Sequence, residues 1–323
     1  MLCLLAFLFF VQGTISLMRV SIVMDRVAHG SLRRIRRMAE SAPPPATEGP
    51  GGEVLTRVRS RSDAGVSTRV NECAPASWAR REDAFVRVLP RIGDPVPEQG
   101  VVLVVRSRRP PRSPERAARA LHTGRERSTY QDPAFGLRQI VDIGVRAQGY
   151  GENDPTTAVR CVDRIQTLVG AFAEVTRHRW TIYDHRRVPR AELPLPTWEG
   201  FVDLDFSELV LQCEGHTQVT RRLSAALRDL EEEVDRTRRP ALRHHRRELR
   251  RVCERNLPAH LVEFALTPDR QGLGGGGREP EPVRAGPDAR WTDDRSEERG
   301  ENDPEEHCGR ADRARAGTWA DLW

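Results

Sequence analysis

Residues 131–158 read QDPAFGLRQIVDIGVRAQGYGENDPTTA, and the same punctuation occurs in them twice. At Asp132-Pro133 and at Asp154-Pro155 a carboxylate precedes a proline. An Asp at a helix N-cap accepts a hydrogen bond from an otherwise orphan amide, and Pro at the first helical position has its φ preset. Each pair therefore predicts a helix start. After the first, Leu137, Ile140, Val141 and Gly144 share one face, and Gly149 and Gly151 end the segment. After the second, Ala158, Val162, Ile165, Val169 and Phe172 recur at 3-to-4 spacing, an amphipathic stripe about five turns long.

Working outward, the C-terminal side continues in the same style. A Pro-rich connection runs to Pro194-Leu195-Pro196. Asp205-Phe206-Ser207-Glu208 reads as a capping box, with Glu208 reaching back to the Asp205 amide. Val219, Leu223, Ala226, Leu230 and Val234 mark one further helix, and Leu242, Leu249 and Val252 mark the last. On the N-terminal side, Ser113-Pro114-Glu115 repeats the helix-start grammar. Before it, Val54–Val58, Phe85–Leu89 and Val101–Val105 read as strands, the last being β-branched and apolar throughout. The fold class expected is α+β, mainly α. One N-terminal membrane helix and its basic flank occupy 1–40, a Pro/Gly linker 41–52, a small β module 53–110, a helical cytosolic domain 111–266 and a disordered acidic tail 267–323.

The opening MLCLLAFLFFVQGTISLM carries no charge. Eighteen helical residues span about 27 Å, close to the roughly 30 Å hydrocarbon core. A cleaved signal peptide is the competitor, but it places positive charge before its apolar core. Here Arg19, Arg26, Arg33, Arg34, Arg36 and Arg37 follow it, against Asp25 and Glu40. The positive-inside rule then puts everything after Met18 on the cytoplasmic side of the cell membrane. Arg33, Arg34, Arg36 and Arg37 are the candidate lipid-headgroup residues, each contributing about 1 kcal/mol near an anionic surface.

All 52 basic residues are Arg, which excludes a lysine nucleophile, a Schiff base and a phosphate-loop lysine. From Thr267 onward nine Arg face fourteen acidic residues, a net −5. The first 266 residues therefore carry +10 of the overall +5. A basic body suits an anionic partner, a membrane lipid surface or self-association. The six cysteines are scattered, without the short spacing of zinc ligands, and fit a reducing compartment. No metal, cofactor or catalytic residue is expected. His244, His245 and Glu248 lack the His-Glu-x-x-His order, and Asp184-His185 has no nucleophile motif beside it.

The loops at the two Asp-Pro starts supply the candidate polar site: Gln131, Asp132, Arg138, Glu152, Asn153, Asp154 and Thr156. The same residues read equally as helix caps and their neighbours. Two rivals to a membrane-anchored structural or regulatory protein follow. One is an Arg-rich nucleic-acid binder, suggested by eight Arg between Arg236 and Arg251 but short of interleaved aromatics. The other is an enzyme using the 131–157 loops.

The Gln131–Gln139 stretch, Asp142, the Gly151–Ala158 motif and Asp163-Arg164 together resemble the bacterial predicted membrane proteins grouped as domain of unknown function 2254. Arg87 to Pro97, with its Gly93-Asp94 turn, Glu199-Gly200-Phe201-Val202 and Arg221-Arg222-Leu223 are similar as well. The resemblance covers roughly residues 1–255. It implies several membrane helices followed by a cytosolic region. Residue 1 would then lie inside the last of those helices, as in a truncated member or one whose true start lies upstream. The family brings no established activity, cofactor or ligand.

Overall fold

The computed structural model describes residues 20–40, 50, 52–71, 73–149, 153–176 and 179–272. The membrane helix expected over 1–18, nearly all of the 41–52 linker and residues 273–323 of the expected tail lie outside these residues, whereas the start of that tail is ordered, with Asp269 buried and its amide on the Arg221 carbonyl at 3.2 Å. Among the described residues, no helix is long and apolar enough to cross a membrane. The architecture is mixed α+β.

The first element, α1 (Val20–Glu40), is a single 21-residue helix. Met24, Ala28, Ser31, Ile35 and Met38 are buried at 3-to-4 spacing. That periodicity gives one apolar face, and it lies against α4 (Pro133–Ala147) and α5 (Pro155–Ala173). The close approach depends on Gly136, where an added Cβ would run into Ser31 Oγ. The segment expected to be a basic flank at the lipid surface is thus also a docked part of the body. Arg164 pairs with Asp25 at 2.8 Å across the same contact.

The chain next forms β1 (Val54–Arg59), β2 (Gly65–Val70), α2 (Cys73–Arg81), β3 (Phe85–Val88), β4 (Pro95–Val96) and β5 (Val101–Ser107). The short α3 (Glu115–Ala118) and β6 (Leu121–Gly124) follow. β1, β3 and β5 fall where the sequence pattern puts them. β2, α2 and β6 were not anticipated. Two sheets result, a five-stranded one in the order β1-β5-β3-β8-β7, which takes in β7 (Arg179–Tyr183) and β8 (Pro189–Pro194) from later in the chain, and a three-stranded one in the order β4-β2-β6.

The strands β7 and β8 correct the expectation of a helical domain over 111–266 joined by a Pro-rich connection. The Pro-rich connection is an antiparallel hairpin, and β8 pairs in parallel with β3 through Val86 and Ala191. Arg87 binds Glu192 across this seam, and Arg179 binds it from β7 across the hairpin. One contiguous hydrophobic cluster then joins Val86, Val105 and Ala191 of the sheet to Leu137, Ile165, Phe201 and Leu223 of the helices.

The helical part continues with α6 (Trp198–Gln212), α7 (Thr217–Glu233), α8 (Arg239–Asn256) and α9 (Ala259–Leu266). The capping box expected at Asp205–Glu208 is absent. The helix starts eight residues earlier, where Thr197 accepts from the Gly200 amide. Asp205 lies mid-helix, fully buried, and Glu208 binds Arg138. Tertiary burial of Trp198, Phe201 and Val202 extends the helix past the local signal. His245 is buried and bonds Asp203 at 2.9 Å.

Candidate functional site

The two Asp-Pro motifs do cap helices. Asp132 Oδ1 accepts from the Phe135 amide at 3.0 Å, and Asp154 Oδ1 from the Thr157 amide at 3.0 Å. They do not meet. α4 and α5 form a hairpin, with the Asp154 amide donating to the Ala147 carbonyl at the far end of α4. Fifteen residues of α4 therefore separate the two carboxylates, about 22 Å at 1.5 Å per residue.

Asp154 is exposed, and Asn153 beside it is exposed at φ +40°. The Thr157 hydroxyl holds the Asp154 carboxyl below its usual range. Thr156 points to solvent, and Glu152 lies outside the described residues. Arg138 sits on the outer side of α4, paired to both Glu208 oxygens at 2.5 and 2.8 Å and to Asp142 at 2.7 Å. That is a clamp between α4 and α6.

The other end differs. Gln131 is buried, accepting from the Val70 amide at 2.9 Å, which ties the start of α4 to β2. Asp132 is only 3% exposed. Its Oδ2 accepts from Arg127 Nη2 at 2.6 Å. Burial raises the Asp132 pKa, and the Arg127 bond opposes the rise. Beside this pair opens a cavity of about 200 Å³. Its walls are apolar, with Ile92, Trp180, Leu193 and Phe201 among them, and Arg91 and Asp94 contribute further charge.

The cleft is assembled from five separate parts of the chain, around Met38, Ile92, Asp132, Trp180 and Phe201. The Gly93-Asp94 turn is pinned to β2 by the Gly93 amide on the Ser67 carbonyl at 2.7 Å and by the return bond from Ser67 to Asp94 at 2.9 Å. Gly93 has φ +90°, and a Cβ there would land on the Arg127–Asp132 pair. Gly93→Ala is therefore expected to destabilise by about 1–3 kcal/mol through strain and loss of the pair. A thermal melt checks this; an unchanged midpoint would refute it.

Both Asp132 oxygens are engaged, Thr197 Oγ1 is committed to the Gly200 amide, and neither Cys nor His lines the space. Among the described residues no group of three or more His, Cys, Asp or Glu is placed to hold a metal ion. Cys161 and Cys213 are buried thiols whose pKa values burial pushes up to about 12. Of the candidate residues, then, the cleft gathers Gln131 and Asp132 alone. Arg127, Trp180 and Phe201 were missed, and nothing local in the sequence marks them; Gly93-Asp94 before Pro95 was the one readable sign.

The headgroup candidates divide as well. Arg33 and Arg36 are exposed and Arg37 is half-buried. Arg34 departs from the expectation of a solvated side chain: it is 8% exposed, with its guanidinium 5.4 Å from the Tyr130 ring centre. The arginines of α8 face protein partners. Arg243 and Arg246 bind Glu231, Arg250 binds Glu263, and Arg251 binds Glu248. Arg238 donates to the Phe172 and Val175 carbonyls.

Residues 1–229 match the family described as predicted membrane protein (DUF2254). The chain is also 43% identical over 60 residues to an uncharacterized protein of Mycobacterium tuberculosis (strain ATCC 25618 / H37Rv) and to another of Mycobacterium bovis (strain ATCC BAA-935 / AF2122/97). The matched stretch is 19% of this chain and spans 12% of the length of each relative. No solved structure matches. Because the family match runs through both Asp-Pro helix starts, the β strands and most of α7, the chain belongs to the predicted membrane protein family of domain of unknown function 2254.

Proposed function

We propose that the chain is a membrane-anchored protein whose cytosolic body has a structural or regulatory role, and that self-association contributes to it. The observation that carries this reading is the continuity of α1. The uncharged apolar stretch 1–18 leads directly into a helix whose later turns are sunk into the body through Met24, Ala28, Ile35 and Met38. Whatever holds the apolar stretch therefore holds the body. Val20, Ile22 and Val23, on the first turn of α1, are exposed apolar residues, 49%, 38% and 45% accessible. They suit the margin of a lipid phase. The exposed Arg26, Arg33 and Arg36 beyond them suit the cytoplasmic side. The family's description as predicted membrane proteins agrees with this.

The test is fractionation of the full chain. It should sediment with membranes, resist high salt and alkaline carbonate, and be released by detergent. Recovery in the soluble fraction without detergent overturns the anchor. A single-cysteine label at Arg36→Cys should be protected from an impermeant maleimide in intact cells. Labelling from outside would reverse the orientation.

A further inference from the structure

We infer that the groove between α1 and residues 128–139 is a binding site for a phosphate ester group, carried on a lipid headgroup or on a soluble molecule. This goes beyond membrane attachment, since it assigns a ligand chemistry to a specific cleft away from Asp132.

The groove has a volume of about 590 Å³. Arg26, Arg33, Arg34 and Arg37 line one wall, with Ser128 and Thr129 among the groups on the other. No carboxylate lines it among the described residues. Positions 26, 30, 33, 34 and 37 follow helical spacing, so α1 directs its basic residues along one face. Arg36, equally charged and exposed like Arg26 and Arg33, falls outside the groove. The clustering is thus a property of the face and not of the Arg-rich composition alone.

Three features fit an anion there. Arg34 is buried beside other guanidinium groups; burial, with repulsion from Arg37 and Arg33, brings its pKa down to about 10 despite the opposing effects of Tyr130 and Asp132. Guanidinium groups match phosphate oxygens bidentately. Gln139 lines the groove, and its buried Oε1 has no hydrogen-bond partner among the described residues. A hydroxyl on the ester would satisfy it. Finally, Gly30 lies on the groove wall in mid-helix, and a Cβ built there meets nothing within 4 Å. Glycine weakens a helix interior, and no packing contact accounts for this one. Its missing side chain leaves the middle of the basic wall open.

The experiment uses the full chain in an uncharged detergent. Binding of soluble glycerol phosphate is measured by calorimetry. Binding of phosphatidylglycerol in the same micelles is measured beside it, with an uncharged glycolipid as the control. Binding of glycerol phosphate assigns the site to a free phosphate ester; binding of the phospholipid alone assigns it to a headgroup. Gly30→Glu introduces a carboxylate among the arginines at a position with room for it. It should weaken binding roughly tenfold or more, as loss of a charged hydrogen-bond partner does, while leaving the thermal midpoint unchanged or higher. Arg26→Gln combined with Arg37→Gln should do the same, and Arg36→Gln should leave affinity as it was. The site is refuted if neither phosphate ligand binds, if the glycolipid binds as well as they do, if Gly30→Glu binds like the parent, or if Arg36→Gln loses as much as the groove variants. Because the assay is run in detergent, its failure leaves membrane anchoring standing, and soluble fractionation leaves the groove standing.

Discussion

Phe201→Ala should cost the folded protein about 3–5 kcal/mol, the usual loss for truncating a fully buried aromatic ring. Phe201 is 1% exposed on α6. Its ring stacks on Phe172 of α5, with centroids 4.0 Å apart and planes 14° from parallel. It also forms part of the wall of the Asp132 cleft. Truncation therefore removes apolar burial, ends a stacking contact and opens the bundle toward the cleft at once. The bundle cannot close around the gap easily, because β8 and the Thr197 cap fix the start of α6 on one side. For a body of this size the thermal midpoint should fall by roughly 10 °C. Phe201→Leu, which retains much of the volume, should fall by less. Melting curves in one detergent compare all three proteins, and a midpoint for the alanine variant equal to the parent would contradict the packing described.

The second large effect has the opposite sign. Asp205→Asn should stabilise the protein by about 2 kcal/mol or more at pH 8, and by little at pH 4. Asp205 is wholly buried in α6, and neither carboxyl oxygen has a hydrogen-bond partner among the described residues. Burial raises its pKa well above the ordinary 3.8. The fold therefore holds the proton more tightly than the unfolded chain does. Below pH 3.8 both states are protonated and the contribution is complete. As pH rises, the unfolded chain ionises first, and stability is lost until the folded group ionises too. Asparagine keeps the shape and cannot ionise, so the difference between variant and parent isolates this effect. Denaturant titrations at the two pH values measure it. A difference that does not change with pH would show that the carboxyl has a partner after all.

What was readable in the sequence follows how local each signal is. Asp132-Pro133 and Asp154-Pro155 were legible because a cap is made by residues three apart, whatever surrounds them. β5 was legible because its strand propensity is unbroken. β7 and β8 were not: they are five and six residues long, and prolines bound β8 at both ends. Their place is set by pairing with β3, far away in the chain. Asp205–Glu208 shows the reverse error, where a local motif was present and burial of the helix around it prevailed. The buried face of α1 was in plain view at Met24, Ala28, Ile35 and Met38, but the arginines among them drew the reading toward lipid. In the cleft, Gln131 and Asp132 were found through their motif. Arg127, Trp180 and Phe201 come together only after the sheet has closed.

The parallel seam between β3 and β8 also sets a timetable. Arg87 must wait for Glu192, 105 residues later in the chain, before that side of its strand is covered. At about 5–20 residues per second of synthesis, the nascent chain exposes this row of unpaired amides and carbonyls for roughly 5–20 seconds. During that interval the half-made sheet is open to pairing with a neighbouring polypeptide on the same messenger. Slow translation or crowded polysomes should therefore divert this protein into aggregates more readily than heating the finished molecule does.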